Sequence, residues 1–205
     1  SSLQINLQGT GNADTATFLN CAGGVGSGGN NIGISVGASL SLMHGALFFT
    51  NATGGSAGSG NYGLAVLSSV TAPAIIGTDL YGGPGTNTNY GLYISSSGVL
   101  GSSLAYRVSM SAGSLGTGSQ EYGIYLNGGR VAVNNGGTIS LTGTGGGTYA
   151  YSSGTNNHGI QLNGGTFTAG ANGALTNTIT LTGLGGGGSG GHYGVNLAAA
   201  ILVNL

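Results

Sequence analysis

A six-residue motif recurs six times along this chain, and no other feature constrains the fold as tightly. It runs polar, ring or Ile, Gly, aliphatic, any, aliphatic. It reads Asn31-Ile-Gly-Ile-Ser-Val36, Asn61-Tyr-Gly-Leu-Ala-Val66 and Asn89-Tyr-Gly-Leu-Tyr-Ile94. It returns as Glu121-Tyr-Gly-Ile-Tyr-Leu126, Asn157-His-Gly-Ile-Gln-Leu162 and His192-Tyr-Gly-Val-Asn-Leu197. The glycines stand at 33, 63, 91, 123, 159 and 194, so the period is 28 to 36 residues. A repeat of this length that cannot bury its own apolar face must stack on its neighbours.

A second motif shares the period. It reads Ile139-Ser-Leu141-Thr-Gly and Ile179-Thr-Leu181-Thr-Gly, with Ile5-Asn-Leu7-Gln-Gly aligned to them as a first copy. Degenerate copies are expected at Leu47–Phe49, Thr78–Leu80 and Val108–Met110. A weaker third segment lies between the two, at Leu40–Leu42, Val70–Ala72, Val99–Leu100, Val131–Val133 and Phe167–Ala169. All three alternate with period two, which argues strand, and no useful length carries the 3.6-residue period of a helix. Gly-rich corners separate them.

The expected fold is therefore all-β: a parallel β-helix, or β-solenoid, of about six coils with three short strands each. The whole chain, 1–205, reads as one domain. Equivalent residues of successive coils then form columns ~4.8 Å apart. The core-stacking column is Ile34, Leu64, Leu92, Ile124, Ile160 and Val195. A second inner column is Val36, Val66, Ile94, Leu126, Leu162 and Leu197. A third is expected to hold Ile32, Tyr62, Tyr90, Tyr122, His158 and Tyr193. Tyr93, Tyr125 and Gln161 fall on the outer face as candidate surface contacts. The recurrent Asn is expected to ladder at a corner, and Glu121 to take its place in one coil.

Such columns explain the composition. Gly, Ser, Thr and Asn make up more than half of the chain, while charged residues are 2%. Identical charges stacked at strand spacing would repel. Two arginines, Arg107 and Arg130, and no lysine cannot neutralise a phosphate backbone, so nucleic acid is not an expected partner. The longest apolar run, seven residues at Leu197–Val203, is too short for a membrane-spanning helix. Cys21 is the only cysteine, so no internal disulfide framework exists.

Little catalytic chemistry is visible. Glycosidic cleavage needs two carboxylates at one substrate. The chain has Asp14, Asp79 and Glu121, and the alignment puts Asp79 and Glu121 on different faces. His44, His158 and His192 are scattered, with no metal-ligand spacing. The Gly187–Gly191 tract matches a nucleophile elbow only in the sense that any glycine tract does. The chain is read as no enzyme, with no metal and no cofactor. Thr-x-Thr ladders of the ice-ordering kind stop after two coils.

The Ile-Thr-Leu-Thr-Gly and Asn-Tyr-Gly-Leu units resemble those of secreted bacterial β-solenoid repeat proteins. These include filamentous-haemagglutinin-like and autotransporter-passenger-like adhesins and extracellular fibre proteins. The resemblance covers most of the chain and implies an extracellular or cell-surface location. It brings no catalytic residue with it.

Both apolar, strand-like ends suggest assembly. Leu3, Ile5 and Leu7 at one end, and Ile201, Leu202, Val203 and Leu205 at the other, are the expected assembly residues. The leading expectation is a structural subunit or segment of an extracellular fibre, sheath or surface layer, whose partner is the chain itself, stacked end to end or by β-augmentation. With Ser1 rather than Met first, the chain reads as processed or as part of a longer protein. The alternative is an adhesin passenger whose Tyr93, Tyr125 and Gln161 contact glycan or a host surface. A polysaccharide-active β-helix enzyme stands a distant third.

Overall fold

A computed structural model describes residues 14–26, 28–147, 154–170 and 175–204, and the backbone of 3–5. The chain climbs in coils of three strands. The first coil holds β1 (Leu3–Ile5), β2 (Thr15–Ala22) and β3 (Ile34–Val36). The second holds β4 (Leu40–Leu42), β5 (Ala46–Thr53) and β6 (Leu64–Val66). The third holds β7 (Ser69–Thr71), β8 (Ala74–Gly82) and β9 (Leu92–Ile94). Next come β10 (Val99–Gly101), β11 (Arg107–Ser114) and β12 (Ile124–Leu126), then β13 (Arg130–Val133), β14 (Thr138–Thr144) and β15 (Ile160–Leu162). The sixth coil holds β16 (Gly165–Ala169), β17 (Thr178–Leu184) and β18 (Val195–Leu197), and β19 (Ile201–Asn204) starts a seventh.

Three parallel sheets result. The first has seven strands, β1-β4-β7-β10-β13-β16-β19. The second, β2-β5-β8-β11-β14-β17, and the third, β3-β6-β9-β12-β15-β18, have six each. All strand pairings are parallel. The third sheet carries the six-residue motif. Its register is unbroken, Ile34 on Leu64 on Leu92 on Ile124 on Ile160 on Val195. This is the expected core column, in the expected order.

The core lies between the sheets. Leu47, Phe49, Leu64, Ile75, Leu92, Ile124 and Phe167 are fully or almost fully buried, in one continuous cluster. Each such side chain contributes roughly 1.5–3 kcal/mol over leaving it in water. Phe18 stacks on Phe49 with ring centroids 5.4 Å apart.

The second sheet departs from the expected alignment twice. Leu3–Ile5 pairs with Leu40–Leu42 in the first sheet, so Ile5 does not head the Ile139 and Ile179 column. The first coil's contribution to the second sheet is Thr15–Ala22, which pairs with Ala46–Thr53. Both segments alternate apolar residues, so the pattern alone does not choose between sheets. Leu7 lies outside the described residues.

The second departure is in register. Phe49 and Met110 both face Gly77, whereas Leu80 faces Ala52 and Ala112. Strand β8 carries one residue more than β11 at this point. The surplus is Asp79 at φ 54°, with Asn51 (φ 52°) and Asn20 (φ 55°) in the same left-handed state one and two coils below. Asn51 Nδ2 donates to Asn20 Oδ1 at 2.7 Å. Asn and Asp tolerate this conformation better than other L residues, so the bulge repeats at low cost.

Candidate functional site

A polar ladder runs along one corner of the solenoid. The backbone N–H of Asn31 donates to Asn61 Oδ1 at 3.1 Å, Asn61 to Asn89 Oδ1 at 3.0 Å, and Asn89 to Glu121 Oε2 at 3.2 Å. Glu121 N–H then donates to Asn157 Oδ1 at 3.1 Å, and Asn157 N–H to His192 Nδ1 at 3.2 Å. Asn61, Asn89, Glu121 and Asn157 are fully buried. A buried polar group without a partner costs about 1–3 kcal/mol, and the ladder supplies one for the corner amide of each of the first five coils. The Asn expected to ladder does so, and Glu121 occupies an Asn position.

Glu121 is the unusual rung. Its carboxylate accepts from Ser114 Oγ at 2.8 Å and from Asn89 Nδ2 at 3.0 Å, besides the Asn89 N–H. Neither Arg107 nor Arg130 is among its hydrogen-bond partners. Burial pushes its pKa up to about 7, while the hydrogen bonds from Ser114 and Asn89 pull the other way. Asp79 does not meet it. Asp79, Tyr81, Ser111 and Ser114 line a shallow hollow on the second sheet, and Glu121 sits behind Ser114 without lining that hollow. The two carboxylates therefore do not flank a common space.

Beside the ladder runs an aromatic column. Tyr62 stacks on Tyr90 at 5.0 Å between ring centroids, Tyr90 on Tyr122 at 5.1 Å and Tyr122 on His158 at 5.2 Å. His158 faces Tyr193 at 5.1 Å, tilted by 31°. The expectation made this a third inner column. Instead it stands apart from the aliphatic core cluster, on the side where Tyr93 and Tyr125 pack. Tyr125 meets Tyr90 and Tyr122 edge to face, with centroids 5.0 and 5.4 Å apart. The rings thus form a separate layer, in which Tyr90, Tyr122 and His158 are themselves buried.

Burial and neighbouring tyrosines raise the Tyr62 and Tyr90 hydroxyls above the ordinary range. Burial first, then Tyr125 and Glu121, pushes Tyr122 up to about 12. Burial, with His192 nearby, lowers His158. His158 Nδ1 accepts from the Tyr193 N–H at 3.1 Å, and its Nε2 lies 3.3 Å from Asn196 Nδ2.

The expected surface contacts are therefore partly consumed by packing. Tyr93 and Tyr125 are half-buried against the ring column. Gln161 is only 7% exposed, and its Oε1 accepts from Asn196 Nδ2 at 2.8 Å. Asn196 of the following coil covers it and also meets His158, which the alternation of the strand could not reveal. Around them Asn163 Nδ2 donates to Asn127 Oδ1 at 3.0 Å, and Asn127 Nδ2 to the Tyr93 hydroxyl at 3.4 Å.

The two ends of the stack differ. On the edge strand β3, Ile34 and Val36 are 8% and 6% exposed. Their counterparts on the opposite edge strand β18, Val195 and Leu197, are 36% and 65% exposed. Leu202 and Val203 of β19 are also exposed, and Ile201 is half-buried. Leu162, Phe167, Leu181, Leu197, Ile201 and Val203 line an apolar hollow of about 410 Å³ at this end. The coil at β17 to β19 is thus open, while the inward residues of β3 are covered. Leu205 lies outside the described residues. Among the described residues no three His, Cys, Asp or Glu side chains converge on a point that could hold a metal. Among them, too, no helix is long and apolar enough to cross a membrane. No protein-family model, curated protein or solved structure matches the chain.

Proposed function

We propose that this chain is a self-assembling structural subunit, a β-solenoid rod of an extracellular fibre, sheath or surface layer that lengthens by coil-on-coil stacking. The observation that carries this reading is the open apolar end formed by β17, β18 and β19. Exposed side chains of Val195, Leu197 and Val203 there would be core residues in any earlier coil. Covering them with one more coil removes apolar surface from water and pairs three edge strands. The near absence of charge supports the same reading, because little electrostatic repulsion opposes association.

The test is electron microscopy and light scattering of the purified chain across concentration. Fibres that lengthen with concentration, and that vanish on deletion of residues 198–205, are the expected result. A monodisperse monomer at every concentration, combined with binding on a glycan array, would overturn the structural reading in favour of adhesion.

A further inference from the structure

Among the described residues the first sheet has seven strands and the other two have six, and this surplus has a consequence for stacking. The chain visits the sheets in a fixed order, so β1, β2 and β3 share one layer and β19 begins the layer above β17 and β18. Suppose a second copy lays its β2 on β17 and its β3 on β18. Its β1 then claims the place in the first sheet that β19 already fills. A flush joint leaves room for one of the two strands.

The geometry points to β19 as the strand that stays: it pairs with β4 of the next copy and displaces that copy's β1. This rests on the self-assembly reading above and specifies the partner, the polarity and the register. The two strands have interchangeable patterns. Leu3 and Ile5 lie opposite Leu40 and Leu42 within one chain. Val203-Asn-Leu205 has the same aliphatic-amide-aliphatic pattern as Leu3-Gln-Ile5, and Val203 lies opposite the buried Phe167 on the other side of β19. The column Leu40, Val70, Leu100, Val131, Phe167, Val203 continues across the joint, so Val203 faces Leu40 and Asn204 faces Ser41 of the second copy.

The corner ladder fixes the polarity. At all five steps the backbone N–H of one coil donates to the side chain of the following coil. Among the described residues, the His192 N–H is left without an acceptor, and Asn31 Oδ1 without a donor. A second copy placed with its first coil on the last coil of this one brings those two groups together. The same placement sets Ile32 on the exposed ring of Tyr193, Ile34 on Val195 and Val36 on Leu197. A head-to-head or tail-to-tail joint would pair donor with donor or acceptor with acceptor, and would also make the strands antiparallel.

Disulfide trapping tests the exchange. In a Cys21→Ser background, the pair Ser41→Cys and Asn204→Cys places the two thiols on facing strands of different copies. Parallel in-register neighbours fall within the Cα separation a disulfide allows. Oxidation under assembling conditions is expected to give a ladder of covalent multimers on a non-reducing gel. The pair Gln4→Cys and Ser41→Cys is expected to lose its intrachain cross-link as fibres form. Fibres in which the cross-link between positions 4 and 41 still closes, and the one between positions 41 and 204 does not, would overturn the exchange while leaving self-assembly intact. An absence of fibres and of multimers at every concentration would overturn the self-assembly reading, and the exchange with it.

Discussion

The backbone N–H of Asn61 donates to Oδ1 of Asn89, 28 residues further along the chain, at 3.0 Å, and both residues are fully buried. One side chain thus satisfies the corner amide of the coil before it. Its own backbone N–H is in turn satisfied by Glu121, one coil later. The repeat propagates through this relation as much as through its apolar columns.

Replacing Asn89 by Ala leaves the Asn61 N–H unpaired in a dry corner. A loss of about 1–3 kcal/mol is expected, since the desolvation cost of the orphaned donor is then uncompensated. Urea unfolding of unassembled protein, with the midpoint followed by circular dichroism, measures it. A change below a few tenths of a kcal/mol would show that water enters the corner.

Glu121 makes stability depend on pH in an unusual direction. Its folded pKa is raised, to about 7 from an ordinary 4.5. Between those values the folded chain holds a proton that the unfolded chain has released. Stability is therefore expected to be full below about pH 4.5 and to fall as pH rises to about 7. At 1.36 kcal/mol per pKa unit the fall is bounded at roughly 3 kcal/mol. Glu121→Gln should flatten the profile in this window. An unchanged slope in the variant would assign the pH dependence elsewhere.

The motif glycines are required by space rather than by a left-handed backbone. A Cβ at Gly91 would lie 2.4 Å from the Leu80 carbonyl oxygen and 2.5 Å from that of Gly113, whereas one at Gly37 would meet nothing within 4 Å. Gly91→Ala should lower stability by several kcal/mol or prevent folding. Gly37→Ala should fall within about 0.5 kcal/mol of the parent, as an unconstrained surface change does. Thermal unfolding of the two variants side by side is the check.

Tyr122 lies between Tyr90 and His158, stacked on both. Tyr122→Ala should cost about 3–5 kcal/mol through the lost ring and the cavity it leaves. Tyr122→Phe retains the stack and should cost far less. Near-ultraviolet circular dichroism should lose its tyrosine signal in the Ala variant and keep most of it in the Phe variant. Equal losses in both would mean that the hydroxyl, and not the ring, holds the layer together.

Much of this was legible in the residues. Spaced motif glycines, matched aliphatics such as Ile34, Leu64 and Leu92, and the recurrent Asn specify stacking coils and an Asn ladder. Three features were not legible. Leu3–Ile5 and Ile139–Leu141 show the same alternation, and only pairing with Leu40–Leu42 puts the former in the first sheet. Leu80 matches Phe49 in pattern, but β5 and β8 pair with Phe49 on Gly77 and Leu80 on Ala52, and the surplus left-handed residue Asp79 sets Leu80 on Ala112 of β11. The tyrosines at 62, 90 and 122 stack as the columns require, yet they pack with Tyr93 and Tyr125 in a layer separate from the aliphatic core.

The sequence by itself determined the repeat, the strand type, the in-register stacking and the exclusion of charge. Each follows from side-chain period and from the repulsion of like charges at strand spacing. Tertiary structure alone decided the rest: the sheet each strand joins, the burial of Glu121 and Gln161, and which end of the stack is open. Those outcomes depend on contacts between residues about thirty positions apart, whose geometry no local pattern encodes.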